Sequence, residues 1–304
     1  MRMIYRQPTG AAAADLFTDA LKQAHLLIAG QTGSGKSVVI NGIIQAALLD
    51  APCNRQFILI DPKRVELAMY RKFPHVIQYA SENDTMLNAI ATAENIMDNR
   101  YEIMQHDGIK KHTGSDIYII IDELADLIDT TKAAAAIIAR IGRLGRAAKV
   151  HLIVATQYLG RTIPPEIKRN LTAVIGLHTR TAADSIYLIE RRGCEALNIG
   201  ECLYIRPADA GPQHICIPYS GDEAQAQETK RLLSWWTDPA NYHPDETDPE
   251  YIKRKQAQED AQRREREAQE RQAAHEARQA ELKAKADYFR NLPYWRLLLG
   301  LYKH

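Results

Sequence analysis

Cysteine is scarce in this chain of 304 residues: there are four, Cys53, Cys194, Cys202 and Cys216. None stands at C-x-x-C spacing, and none combines with histidine at the spacing of a metal site. That argues against a disulfide scaffold or a zinc module, and for free thiols in a reducing cytoplasm. Charge of one sign is also lacking, since the net charge is only +1. No global field draws the chain to nucleic acid, so any DNA contact must be local, in loops or a pore. Long apolar runs are missing: nothing approaches the ~18 residues that a membrane helix needs. The N-terminus has no apolar stretch of the kind a signal peptide carries. The expectation is a cytoplasmic protein with no direct membrane insertion.

A hydrophobic content of 45% is ordinary for a globular core. The length allows one large α/β domain with an appendage. Strands and helices alternate from about residue 25 to residue 236. This pattern predicts a mostly parallel central sheet with helices on both faces. Candidate strands are 25–29, 56–61, 75–79, 116–122, 150–156 and 172–178, with helices over 37–49, 85–105 and 132–148. Segments 202–206 and 214–218 flank a Pro/Gly loop and suit a hairpin at the sheet edge.

After Trp236 the composition changes. Residues 237–249 hold three prolines and several acids, and read as a linker. From 250 to 290 there is no glycine or proline, and most residues are Glu, Arg, Lys, Gln or Ala. Glu259/Arg263, Asp260/Arg264, Glu267/Arg271 and Glu281/Lys285 stand at i,i+4 with the acid first, the favourable order. No sustained apolar seam accompanies them, which favours a solvated single helix over a coiled coil. The last stretch turns aromatic and apolar, with Phe289, Trp295 and several leucines. It is too short to span a bilayer; packing on the core and docking on a partner protein both fit it. The expected division is 1–236 core, 237–249 linker and 250–304 charged helix with an apolar tail.

The most specific local signal is Gly30-Gln31-Thr32-Gly33-Ser34-Gly35-Lys36-Ser37, a complete G-x-x-x-x-G-K-[ST] phosphate-binding loop between a short apolar strand and a helix. The three glycines let backbone N–H groups wrap a phosphate, and the following helix points its positive end at the anion. Lys36 reaches the β- and γ-phosphates of a nucleoside triphosphate, and Ser37 can ligate Mg²⁺.

A second signal is the apolar run 117–121 followed by Asp122 and Glu123. Ligands bind at the carboxyl ends of strands in open α/β sheets. There Asp122 can hold the Mg²⁺ shell and Glu123 can polarise the attacking water. The plainer alternative is a pair of acids that favour a helix N-terminus. Gln157 ends the strand 150–156 and suits either a γ-phosphate sensor or a strand cap.

Five stretches, in order, resemble the FtsK/SpoIIIE DNA translocases: HLLIAGQTGSGKS (25–37), LIDPKRVELAMY (59–70), YIIIDELADL (118–127), IARIGRLGRAAKVHLIVATQ (138–157) and GECLY (200–204). The resemblance covers about residues 20–230. It implies a RecA-like P-loop ATPase that uses ATP and Mg²⁺, assembles as a homo-oligomeric ring, usually a hexamer, and drives double-stranded DNA through its pore. Members usually carry membrane-anchored N-terminal regions, whereas this chain starts almost directly on the motor, a build that suits a phage or mobile element packaging or transferring DNA. The family often has Pro-Thr-Arg where this chain has Thr172-Ala173-Val174, and another family arginine falls at Ile186. Neither residue can supply a cation.

A ring ATPase needs a cation from the neighbouring subunit. Arg143 and Arg146, at three-residue spacing on the helix 132–148, are the candidates; a solvated basic face is the alternative. For DNA, Lys110 and Lys111 lie in the loop 106–115, and Arg206 opens a loop placed like a pore loop of the family. Phosphate contacts need only such cations. A solvated loop fits the lysines equally well. Two rival functions remain: a conjugative coupling or secretion ATPase acting on protein, and a non-motor scaffold that uses nucleotide only to assemble.

Overall fold

The computed structural model describes residues 16–50, 54–158, 163–219, 221–238 and 241, and further on 263–264, 266–274, 276–280, 282–284 and 287. Two compact units emerge, Met1–Asp245 and Glu246–His304. The described residues of the second unit are helical and exposed. Glu267 and Arg271 approach to 4.0 Å there, the i,i+4 pair read from sequence. The other three pairs, the apolar tail and most of the linker fall wholly or partly outside the described residues.

The first unit is built on an eight-stranded sheet: β1 (His25–Ala29), β2 (Arg55–Ile60), β3 (Val76–Ala80), β4 (Asp116–Ile121), β5 (Val150–Thr156), β6 (Ala173–Gly176), β7 (Glu201–Ile205) and β8 (Gln213–Cys216). Their spatial order is β3-β2-β4-β5-β1-β6-β7-β8. The first six are parallel. The last two form the expected hairpin: β7 is antiparallel to β6, and β8 is antiparallel to β7. The mostly parallel α/β fold is therefore as the alternation predicted.

Central strands buried on both faces read as unbroken apolar runs, and β4 is one. Ile117, Ile119 and Ile121 face one core; Tyr118 and Ile120 face the other. The first core is covered by α3 (Asn83–Asp107), α4 (Leu124–Thr130), α5 (Lys132–Ala148), α6 (Pro165–Lys168) and α7 (Ala182–Ile189). The second lies under α1 (Leu16–Ala20), α2 (Lys36–Asp50) and α8 (Asp222–Trp236). Helix α5 has the bounds read from sequence, and α3 runs two residues further at each end. A capping box of Glu82 and Thr85 starts α3, and Gly108 stops it at φ 67°.

Strand order decides what meets at each edge. The strands that carry the phosphate loop and Asp122 are not neighbours: β5 lies between them. Ala29 of β1 registers with Thr156 of β5, and Ile121 of β4 with Val154. The C-terminal edge thus gathers the segments after β1, β2, β4 and β5. The opposite edge gathers the loop before β4, the end of α5 and the β7–β8 turn.

Candidate active site

The phosphate loop is shaped by glycine where only glycine fits. Gly33 and Gly35 have φ of 78° and 104°, in the left-handed region. At Gly30 an added Cβ would lie 2.6 Å from the Leu177 Cβ and 2.7 Å from the Ser34 hydroxyl. The Gln31 N–H donates to the His178 carbonyl at 2.9 Å, tying the loop to the residues after β6. Ser34 is buried, and its hydroxyl has no hydrogen-bond partner. Lys36 opens α2, and its ammonium donates to the carbonyls of Gly30 (3.1 Å) and Gln31 (3.4 Å). Burial lowers the Lys36 pKa, while Glu123 and Asp122 pull it the other way. Backbone N–H groups, a helix N-terminus and a partly desolvated cation together make an anion site.

Asp122 and Glu123 follow β4 on the same edge. Asp122 is buried, and its carboxyl is pushed up to about 6, first by burial and then by Asp61 and Glu66. Such a group gains from a cation. Among the described residues, no three His, Cys, Asp or Glu side chains could hold a metal by themselves. Mg²⁺ does not require that, because it takes one or two protein oxygens and completes its shell with phosphates and water. Asp122 and the half-buried Ser37 fit such an ion.

Glu123 is 1% exposed, and both its oxygens are held. The Thr156 hydroxyl donates to Oε1 at 2.6 Å, and the Gln157 N–H donates to Oε2 at 3.1 Å. The Gln157 side chain turns the other way, and its Oε1 accepts from the Thr32 hydroxyl at 2.7 Å. A continuous path therefore runs from the phosphate loop through Gln157 to Glu123. It exists because β5 is inserted between β1 and β4. Sequence reasoning missed the next member, Lys63, whose ammonium stands 3.6 Å from Glu123 Oε2 and 3.9 Å from Asp126. Its signal was the Asp61-Pro62-Lys63 stretch, used above only for resemblance.

The remaining candidates lie at the opposite edge. Arg143 and Arg146 are exposed on the C-terminal half of α5. The seven residues of β5 separate that end from Thr156, a span of roughly 23 Å. Arg140, one turn earlier, is held by Asp98 at 2.7 Å and Glu94 at 2.8 Å. Lys110 and Lys111 are exposed, and the His112 N–H that follows them donates to the Ala147 carbonyl of α5 at 2.9 Å. Arg206 is already engaged, by Asp209 at 2.8 Å and Asp19 at 3.3 Å. Within one chain none of these five reaches the phosphate loop.

Comparison with known proteins gives a consistent result. Residues 6–119 match the family described as FtsK/SpoIIIE. DNA translocase FtsK 1 of Neisseria meningitidis is 32% identical over 266 residues, covering 74% of this chain and 32% of that protein. The chain spans about a third or less of the length of the curated relatives it matches. Among solved structures, the pCW3 conjugation coupling protein TcpA, with ATPγS, aligns with a TM-score of 0.61 at 23% identity, over 70% of this chain and 66% of that one. The cytoplasmic domain of the Thermomonospora curvata type VII secretion ATPase EccC gives 0.60 at 21%, over 72% and 29%. Those two likenesses establish the fold.

Proposed function

We propose that this chain, which carries an FtsK/SpoIIIE family domain, is the motor portion of an ATP-driven double-stranded DNA translocase. The observation that carries the reading is the path from Thr32 through Gln157 to Glu123. A nucleotide switch needs the loop alone; a hydrolase also needs a base fixed in register with it. Lys36 and the loop N–H groups bind the triphosphate, and Ser37 and Asp122 hold Mg²⁺, which supplies charge neutralisation. Glu123 takes the proton of the attacking water. Gln157 reports the state of the γ-phosphate through Thr32.

Residues 1–236 form the motor, 237–249 a linker, and 250–304 a charged helix whose tail docks a protein partner. The motor works as a homo-oligomeric ring, a hexamer by analogy with the family. In a ring, the edge of one subunit that bears Arg143 and Arg146 serves the nucleotide edge of the next. Lys110, Lys111 and the loop of Arg206 follow the DNA backbone. The setting is cytoplasmic; no helix among the described residues is long and apolar enough to cross a membrane. The test is ATP turnover with and without linear duplex DNA. Stimulation by duplex is expected. Turnover indifferent to DNA but raised by a protein substrate would favour a secretion engine, and binding without multiple turnover a scaffold.

A further inference from the structure

Asp61 ends β2 beside Asp122. Ile60 and Ile121 are register partners, so the two aspartates that follow them stand side by side on the C-terminal edge. Asp61 is fully buried. Its Oδ2 accepts the Leu67 N–H at 3.0 Å and the Tyr79 hydroxyl at 3.5 Å. Those bonds hold the turn 61–67, and an uncharged asparagine would serve them as well. They leave Oδ1 unexplained: it is buried and has no hydrogen-bond partner. A buried carboxylate with an unpaired oxygen is strongly unfavourable unless a cation or donor compensates it. The nearby ammonium groups are committed elsewhere, Lys63 to Glu123 and Asp126, and Lys36 to loop carbonyls. The charge of Asp61 also bears on Asp122, the residue already read as a metal holder.

We propose that Asp61 is a second carboxylate of the divalent-cation site, its Oδ1 accepting a hydrogen bond from water on the ion that Ser37 and Asp122 hold. The inference rests on the nucleotide-hydrolysis reading above. It explains why an acid, and not an amide, occupies a fully buried turn position. An outer-shell carboxylate fixes the hydrated ion, and the ion in turn offsets the repulsion between Asp61 and Asp122.

The test is Mn²⁺ binding, followed by electron paramagnetic resonance on the full chain with a non-hydrolysable ATP analogue, for wild type and Asp61→Asn. The amide oxygen keeps the bond from Leu67, and a donor replaces Oδ1. The Mn²⁺ dissociation constant is expected to rise about tenfold. Affinity for the metal-free analogue in EDTA should be unchanged. Thermal melting in EDTA guards against misfolding: Asp61→Asn should melt no lower than wild type, since it removes an uncompensated charge. An unchanged Mn²⁺ constant with the analogue still bound overturns the role of Asp61 alone. A variant that melts far lower in EDTA overturns it too, because the charge would then be structural. A wild-type chain that binds no analogue under either condition overturns the functional reading with it.

Discussion

The two edges of the sheet treat their charges in opposite ways. At the N-terminal edge, buried and half-buried charges are matched. Asp116 is met by His151 at 3.0 Å and Lys149 at 3.2 Å. Burial pushes the Asp116 carboxyl up, but the hydrogen bond from His151 and the Lys149 ammonium outweigh it and hold its pKa below the usual value. Arg100, fully buried, donates to the carbonyls of Ser115 and Ala148 at 2.8 Å each. At the C-terminal edge, Asp61 and Asp122 are buried side by side, Asp61 Oδ1 lacks a hydrogen-bond partner, and Lys36 is partly desolvated. A folded chain leaves charge uncompensated where something outside it supplies the compensation. The contrast marks the C-terminal edge as the one built for a ligand.

The largest expected effect crosses from one edge to the other. Arg146→Ala or Arg143→Ala should slow hydrolysis by about 10³ if that residue serves the neighbour's nucleotide, and leave ATP binding intact. Mixing is the readout: a small share of variant subunits should poison the wild type out of proportion. A loss that only tracks the dose would confine the arginine to its own edge and chain.

Removing one charge at each edge sharpens the contrast. The Asp122 carboxyl titrates near 6 in the folded protein, above its ordinary 3.8. Between those values the folded state holds the proton more tightly than the unfolded state, so stability falls as pH rises through the window. Asp122→Asn should therefore stabilise the metal-free protein by roughly 1–3 kcal/mol at pH 7.5 and remove that slope. For Asp116 the sign reverses. Its pairing stabilises at neutral pH and is lost as pH falls through its depressed pKa, so Asp116→Asn should cost about 1 kcal/mol. Melting in EDTA from about pH 2.5 to pH 8 measures both, since the Asp116 contribution is lost only below its ordinary 3.8. Shifts of the same sign would dissolve the distinction between the edges.

The smallest effect belongs to the exposed lysines. Lys110→Ala with Lys111→Ala should lower DNA affinity alike at all sequences and flatten the salt slope by about 2, one for each phosphate no longer neutralised. An unchanged slope would take both lysines off the DNA path.

What sequence could show followed from how local the chemistry is. The phosphate loop and Asp122-Glu123 were legible because each needs its residue types within a few positions of one another. Gln157 was legible only as two alternatives, since its link to Thr32 spans 125 positions and depends on β5 entering between β1 and β4. Lys63 and Asp61 were passed over for the same reason: their meaning comes from β2 lying beside β4. The pairing of Arg206 with Asp209 was within reach at three residues, but its second partner, Asp19, comes from α1 across the sheet. The strand read as 172–178 is paired only over Ala173–Gly176, and His178 instead gives its carbonyl to the phosphate loop. Helix α7 carries a clear local signal that was not used, the Thr181–Asp184 capping box.

The most direct test is Glu123→Gln, with ATP affinity and multiple-turnover hydrolysis measured on the same preparation. Glutamine keeps an oxygen for the Thr156 hydroxyl; it removes the base and, with it, the acceptor that Oε2 offers to the Gln157 N–H and to Lys63. ATP binding should stay within about twofold while turnover falls by about 10²–10³. Hydrolysis at the wild-type rate, or ATP binding lost together with turnover, would contradict Glu123 as the base of a hydrolytic site at this edge.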